Sequence, residues 1–314
     1  MSYDRENLEK LYDNIINKKN TSSKREWSKS LSQFLFENKD AFYTVIQPGG
    51  NNGDELIYKG LNKKLKNLGI KYEEKKYREE YISLKIIKFD KNFKKISINK
   101  KTDMIIVHGG GNMNDHWGNG IRLLKHIIGR YDIPIIVAPQ TFYFTKTNFP
   151  EILKDVKQEV HLFCREYISY SLLKNMQLAD NIKIYLSDDT SFFLNKEDFM
   201  YINKNNAKRD YVLLGFRNDK ESNESLDIRK TLNDIFIDHD IDIVNGGDIS
   251  LNYPFEDFLK IISNSKIVIT DRLHIGILSS ILEKPVFLLA NSYFKNKAVY
   301  DYSINHFPYT IFIE

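Results

Sequence analysis

The chain has 314 residues, 42% hydrophobic and 28% charged, and 46 Lys+Arg against 42 Asp+Glu leave a net charge of only +4. That balance excludes a broadly cationic nucleic-acid binder, and the length allows two buried cores. Cys164 is the only cysteine, so no intrachain disulfide can form; the polar first twenty residues and the lack of any apolar run of about 18 residues lead us to expect a cytoplasmic protein.

Residues 1–40 carry apolar positions at helical spacing, first Leu8, Leu11 and Ile15, then Leu31, Phe34 and Leu35. They read as a helical extension packed outside the main fold. A strand over Phe42–Gln47 then enters P-G-G-N-N-G-D-E, a glycine-rich turn that opens a helix from about Asp54 to Leu68. Gly49, Gly50 and Gly53 allow close backbone approach there, and Asn51, Asn52 and Asp54 offer polar groups at the helix entrance. The spelling is neither G-x-G-x-x-G nor a P-loop. Residues 71–101 are dense in lysine. An anionic polymer or the inner membrane leaflet would suit them, but a solvated face is the commoner use. A further strand is expected at Leu84–Phe89.

Met104–Val107 reads as a buried strand running directly into H-G-G-G-N-M-N-D-H-W-G. One or two glycines suffice for any turn, so Gly109, Gly110 and Gly111 together suggest a ligand lying against the backbone. Asn112 follows, and Asp115 is the candidate general base on position alone. His108 and His116 lack the companions of a metal site, and no metal is expected. The alternation continues with a helix at 118–128, a strand at Pro134–Ala138 leading to Gln140, a helix at Glu151–Gln158 and a strand at His161–Arg165. A helix at Ile168–Met176 and a strand at Ile182–Leu186 complete this half. Arg165 ends its strand beside Glu166, where a surface ion pair is the plain alternative to a ligand.

A polar stretch, Asn195–Asp210, divides the alternation. Beyond it come a strand at Tyr211–Phe216 ending at Arg217, a helix at Glu224–Phe236, a strand at Asp242–Asn245 and a helix at Phe255–Asn264. Ile267–Leu289 is a whole βαβ unit, with Asp271, Arg272 and His274 at the first turn of its helix. Open α/β sheets hold anionic ligands at that point; the alternative is that Asp271 merely caps the helix between solvated neighbours. A helical piece at Lys295–Tyr302 and a strand at Thr310–Ile313 close the chain. Two successive alternations imply an α/β fold of two Rossmann-like doubly wound domains facing across a cleft, with the extension at 1–40 and the domains at 41–200 and 201–314.

From Phe42 onward, G-N-N-G-D-E-L-I, H-G-G-G-N-M-N-D, A-P-Q, C-R-E-Y-I-S-Y and T-D-R-L-H-I-G-I-L-S-S-I-L-E-K-P-V resemble the polysaccharide pyruvyltransferases, in order and at similar intervals. The resemblance implies the two-domain architecture of many nucleotide-sugar glycosyltransferases. It also implies transfer of the pyruvyl carbons of phosphoenolpyruvate to a pair of sugar hydroxyls as a ketal, with phosphoenolpyruvate as co-substrate and no other cofactor. The acceptor would be a bacterial-type surface polysaccharide or its lipid-linked precursor, the latter bringing the enzyme to the inner face of the membrane. The family's D-R-x-H falls on Arg272 and His274, and its R-[DE]-x-x-S on Arg165 and Ser169, with Glu166 where aspartate is usual. By that match Arg165 and Arg272 would hold the phosphate and carboxylate, and His274 would be a phosphate ligand or the acid; Arg217, at the end of its strand, is a further substrate-binding candidate. Gly109, Gly110, Gly111, Asn112, Asn52, Asp54 and Gln140 would line the acceptor side.

Two other readings compete. One is a nucleotide-sugar glycosyltransferase with Asp248 on the ribose; the other is a non-catalytic glycan-binding protein, which would have no reason to keep Arg165, Arg272 and His274 together. Arg272, taken as an exposed cleft residue, is expected to be replaceable by alanine without loss of the fold.

Overall fold

The computed structural model describes residues 29–77, 98–202, 211–222 and 242–314. The strand expected at Leu84–Phe89, the helix at Glu224–Phe236 and the helical positions Leu8, Leu11 and Ile15 lie outside the described residues.

Helix α1 (Leu31–Glu37) is capped by the Ser30 side chain and buries Leu31, Phe34 and Leu35. Those three share a core cluster with Tyr43, Val45 and Ile106, so this helix belongs to the first core and not to an outer extension. β1 (Phe42–Gln47) is buried at five of its six positions, as a central parallel strand must be. It leads to α2 (Asn52–Asn67), whose N-terminus carries a capping box between Asn51 and Asp54.

The lysine-rich stretch holds an element that composition hid: β2 (Lys71–Lys76) pairs in parallel with β1 as an edge strand with no fully buried residue. Charged side chains there block pairing with a second sheet edge. The first sheet continues through β3 (Met104–Val107), β4 (Ile135–Gln140), β5 (Val160–Cys164) and β6 (Ile182–Leu186). Its helices are α3 (Asn119–Ile128), α4 (Phe149–Leu153) and α5 (Tyr167–Lys174). All its pairings are parallel, in the order β2-β1-β3-β4-β5-β6.

The second sheet contains β7 (Tyr211–Gly215), β8 (Asp242–Asn245), β9 (Ile267–Thr270), β10 (Val286–Leu289) and β11 (Thr310–Ile313). Around it lie α6 (Ile249–Asn252), α7 (Phe255–Asn264), α8 (Leu273–Ile281) and α9 (Lys295–Val299). Its order, β11-β10-β9-β7-β8, repeats the winding of the first sheet when counted from its own first strand. Each sheet therefore reverses direction once, between β1 and β3 and between β7 and β9, and such reversal points open crevices at the carboxyl ends of strands.

The two halves interlock. Leu56 of α2 packs in the core of the second sheet, while Ala298 of α9 is buried in that of the first, with Phe294 and Tyr302 against it. No described helix is long and apolar enough to cross a membrane.

Candidate active site

The crevices at the two reversal points open into one cavity of about 280 Å³. Its walls come from the segments that follow β1 (Gly50 to Asp54), β3 (Gly111, Asn112), β5 (Arg165), β7 (Arg217), β9 (Arg272, His274) and β10 (Lys295). The topology thus gathers residues separated by up to 245 positions in sequence, Gly50 to Lys295.

Arg165 is 1% exposed and is aimed by two bonds, Nε to Thr141 Oγ1 at 2.9 Å and a terminal nitrogen to Asp189 Oδ2 at 2.8 Å. It is no surface residue, and its ion-pair partner is Asp189, not the adjacent Glu166. Glu166 instead caps α5, accepting the Ser169 N–H at 2.9 Å and the Ser169 hydroxyl; burial lifts its carboxyl to about 7. The Ser169 hydroxyl in turn accepts the Phe142 N–H at 2.8 Å.

Asp189 also meets His274, with Nε2 3.4 Å from Oδ2. Burial acts to raise the Asp189 carboxyl, but the His274 ring, the Arg165 guanidinium and the Ser191 donors hold it well below the usual range. A permanently ionised aspartate therefore orients both the arginine and the histidine. His274 rides in the first turn of α8, packed so closely on the turn after β1 that a Cβ on Gly53 would lie 2.9 Å from the His274 Cβ. Across the same seam Asn52 donates to the Tyr253 carbonyl at 2.8 Å, so it ties the halves together and is not a free ligand.

From the second sheet, Arg272 is 6% exposed and occupies the N-cap position of α8. The alternative of capping by Asp271 does not hold: the Asp271 carboxylate accepts the Arg217 N–H at 2.8 Å, and Thr270 Oγ1 accepts the Arg272 N–H at 3.0 Å. Asp219 bridges the two guanidiniums, at 2.8 and 3.1 Å from Arg217 and 2.9 Å from Arg272. Arg272 also pairs with Asp248, and Arg217 with Glu221 at 2.5 Å. Glu221 further accepts from Lys295 and from Trp117 Nε1 at 2.8 Å. Burial would raise the Glu221 carboxyl, but Lys295 and Arg217 hold it well below its usual range, while burial pushes the Lys295 ammonium down to about 8 against the pull of Glu221. One carboxylate shared by two cations leaves the lysine as the weaker claimant.

Several expected ligands have other work. Asp115 does not line the cavity; Oδ2 accepts the N–H groups of Thr145 and Lys146 at 2.6 Å each and of Thr147 at 3.2 Å, and Oδ1 takes the Thr147 hydroxyl. Although burial acts to raise its carboxyl, these donors hold it below its usual value, and a carboxylate so engaged is a poor proton acceptor. Gln140 is fully buried and bonds the His108 carbonyl at 2.7 Å, bracing the glycine loop from behind. Of the three glycines, Gly109 and Gly110 are explained within the protein. A Cβ on Gly109 would sit 2.5 Å from the Pro139 carbonyl, and Gly110 holds φ +135° with Asp54 Oδ1 3.1 Å from where its Cβ would be. Gly111 and Asn112 do reach the cavity, and the Asn112 side-chain amide nitrogen has no partner there. Asp54 lines the wall with its carboxyl raised by burial. His108 is fully buried with its ring tilted against Tyr58, 4.3 Å between centroids, and burial pushes it down to about 3.

Sequence reasoning missed Asp219, Glu221, Lys295 and Trp117 as parts of this wall, and Asp189 as the buried acid that pairs with Arg165 and His274. Asp189 follows a strand and could have been found by position, and Trp117 lies in the glycine-rich stretch after β3; the others lie in stretches with no motif.

The arrangement can bind a small polyanion with several fixed cations, and it offers one imidazole for proton transfer. A Bacillus subtilis relative, general stress protein 30, is 27% identical over 291 residues, covering 88% of this chain and 82% of its own. A solved structure of a functionally uncharacterised protein from Klebsiella pneumoniae superposes with TM-score 0.61 at 25% identity, covering 90% of this chain and 96% of that one. A UDP-GlcNAc 2-epimerase from Methanocaldococcus jannaschii superposes with TM-score 0.49 at 13% identity, covering 87% of this chain and 88% of its own. A sequence profile of the polysaccharide pyruvyl transferases matches residues 51–293, a span that carries every cavity-lining turn from α2 through β10, and the chain therefore belongs to the polysaccharide pyruvyl transferase family.

Proposed function

We propose that the cleft takes phosphoenolpyruvate as pyruvyl donor and transfers its three carbons to two hydroxyls of one sugar in a surface polysaccharide or its lipid-linked precursor. The reading rests on one observation: Arg165, Arg217, Arg272 and Lys295, all buried, converge on a single cavity with the uncapped N-terminus of α8. A compact trianion needs several fixed cations, and guanidinium forks bind phosphate or carboxylate in a bidentate manner. Arg272 Nε has no partner, so one N–H of that fork is uncommitted. The remaining guanidinium bonds go to Asp219 and Asp248, for which an incoming phosphate competes.

Chemically, one sugar hydroxyl adds its oxygen to C2 of the enol while a proton goes to C3, converting the methylene to a methyl. His274 is the donor of that proton and takes back the one the first hydroxyl loses as its oxygen bonds C2, with Asp189 fixing its ring. The C2–phosphate bond then breaks, leaving an oxocarbenium ion whose charge Asp54 can offset from the wall and Asp189 through the His274 ring it pairs with. The second hydroxyl closes the ketal ring at C2, and its proton leaves with the phosphate.

Calorimetric titration with phosphoenolpyruvate tests the donor. Saturable binding that Arg272→Lys weakens about tenfold, some 1.4 kcal/mol, is expected, because the lysine keeps the charge and loses the fork. Binding of a nucleotide sugar with no response to phosphoenolpyruvate would overturn the reading in favour of glycosyl transfer.

A further inference from the structure

Trp117 stands in the cavity wall next to the glycine loop and is 37% exposed. Its backbone N–H donates to Asn114 Oδ1 at 2.9 Å and its indole N–H to Glu221 Oε1 at 2.8 Å. Glu221 is itself 1% exposed and held by Arg217 and Lys295, so the ring edge is pinned to the opposite half of the molecule. The rings of His116 and Tyr293 each stack with Tyr143 and are tilted to one another, forming a separate aromatic group. A half-exposed indole with a fixed edge and a solvent-facing ring has the form of a binding platform, since its orientation is set before anything lands on it.

The chemistry around the ring narrows the ligand. Asn51, Asn112 and Asn119 line the same wall, and the Asn112 amide nitrogen is without a partner although the residue is only 8% exposed. A sugar ring presents a C–H face to an aromatic surface and a rim of hydroxyls to side-chain amides, and this wall offers both. The cations, by contrast, converge from the turns after β5, β7, β9 and β10. We propose that Trp117 is the stacking platform for the acceptor sugar ring, with Asn112 bonding its hydroxyl rim and Glu221 acting as a positioning residue that sets the indole. This rests on the cleft being the pyruvyl-transfer site. It adds that the acceptor is held face-on by its ring, so that neutral sugars bind without the donor.

The chain has two tryptophans, so Trp27→Phe leaves Trp117 as the single indole. That variant is titrated with methyl glucoside, methyl galactoside, methyl mannoside and, as a nucleoside control, uridine, each with and without phosphoenolpyruvate, while acrylamide quenching of the emission is followed. Stacking through C–H faces tolerates ring configuration, so at least one glycoside is expected to cut quenching by about twofold. Trp117→Ala is expected to lose saturation-transfer NMR signals from the glycosides and to bind phosphoenolpyruvate with unchanged affinity. Failure of all three glycosides to protect the indole overturns the proposal, as does protection by uridine alone. Equal loss of glycoside and phosphoenolpyruvate binding in Trp117→Ala also overturns it, making the indole a strut. Glycoside protection in a protein that never binds phosphoenolpyruvate would keep the platform and remove the donor reading.

Discussion

Arg272 shares Asp219 with Arg217 and holds Asp248 by itself, so replacing it changes the charge of the whole second wall. Alanine there would leave a buried carboxylate without its counter-charge, and we predict that Arg272→Ala lowers stability by about 3–5 kcal/mol in chemical denaturation. The expectation of a freely removable cleft arginine fails because the residue is buried among acids. Arg272→Lys should stay folded, which makes it the variant for binding measurements. Glu166 gives a separate signature. Burial raises its carboxyl from 4.5 to about 7, so the native state holds a proton that the unfolded chain has already released. Stability contributed by this group is therefore present in acid and lost as the pH rises from 4.5 through about 7. Glu166→Gln should flatten that fall, read from urea midpoints across the pH range.

At the level of elements, the loop after β3 shows how packing can imitate a ligand site. Three glycines in a row suggested a bound molecule against the backbone, yet two of them are required by the Pro139 carbonyl and by Asp54. Gly109→Ala would force the loop off β4, and we predict a loss of about 1–3 kcal/mol in stability with a drop in donor affinity, because Gly111 and Arg165 meet at its far end. Thermal melting and titration of the same variant check both. The edge strand β2 is the converse case. Its charged residues hid a strand because an edge position needs no buried face, and so it shows neither the buried β-branched run nor the alternation of polarity by which strands are read.

For the molecule as a whole, the interlocking of Leu56 and Ala298 with the opposite cores ties the halves together. Neither half can open fully without exposing apolar surface of the other. We predict a single unfolding transition, with far-ultraviolet circular dichroism and Trp117 emission coinciding in a Trp27→Phe background; two separated transitions would show independent halves. The close seam of Gly53 against His274 and the Asn52 bond to Tyr253 place the imidazole relative to the first sheet. Positioning of the acid is thus a property of the interface between the halves.

The amino-acid sequence by itself determined the alternation of buried strands and helices, the turns at which Arg165, Arg217, Arg272 and His274 emerge, and the family likeness. Those are local properties: β-branched runs, glycine turns and short motifs act over a few residues and survive in a one-dimensional reading. Only the tertiary structure decided which acids neutralise the arginines, that Asp115 braces a loop, that Asn52 joins the halves, and that Lys295, Glu221 and Trp117 belong to the wall. Apart from the local pairs of Arg217 with Asp219 and Glu221, these depend on contacts between residues tens to hundreds of positions apart. Their partners are set by the parallel winding of two sheets, whose reversal points carry distant turns to one cavity.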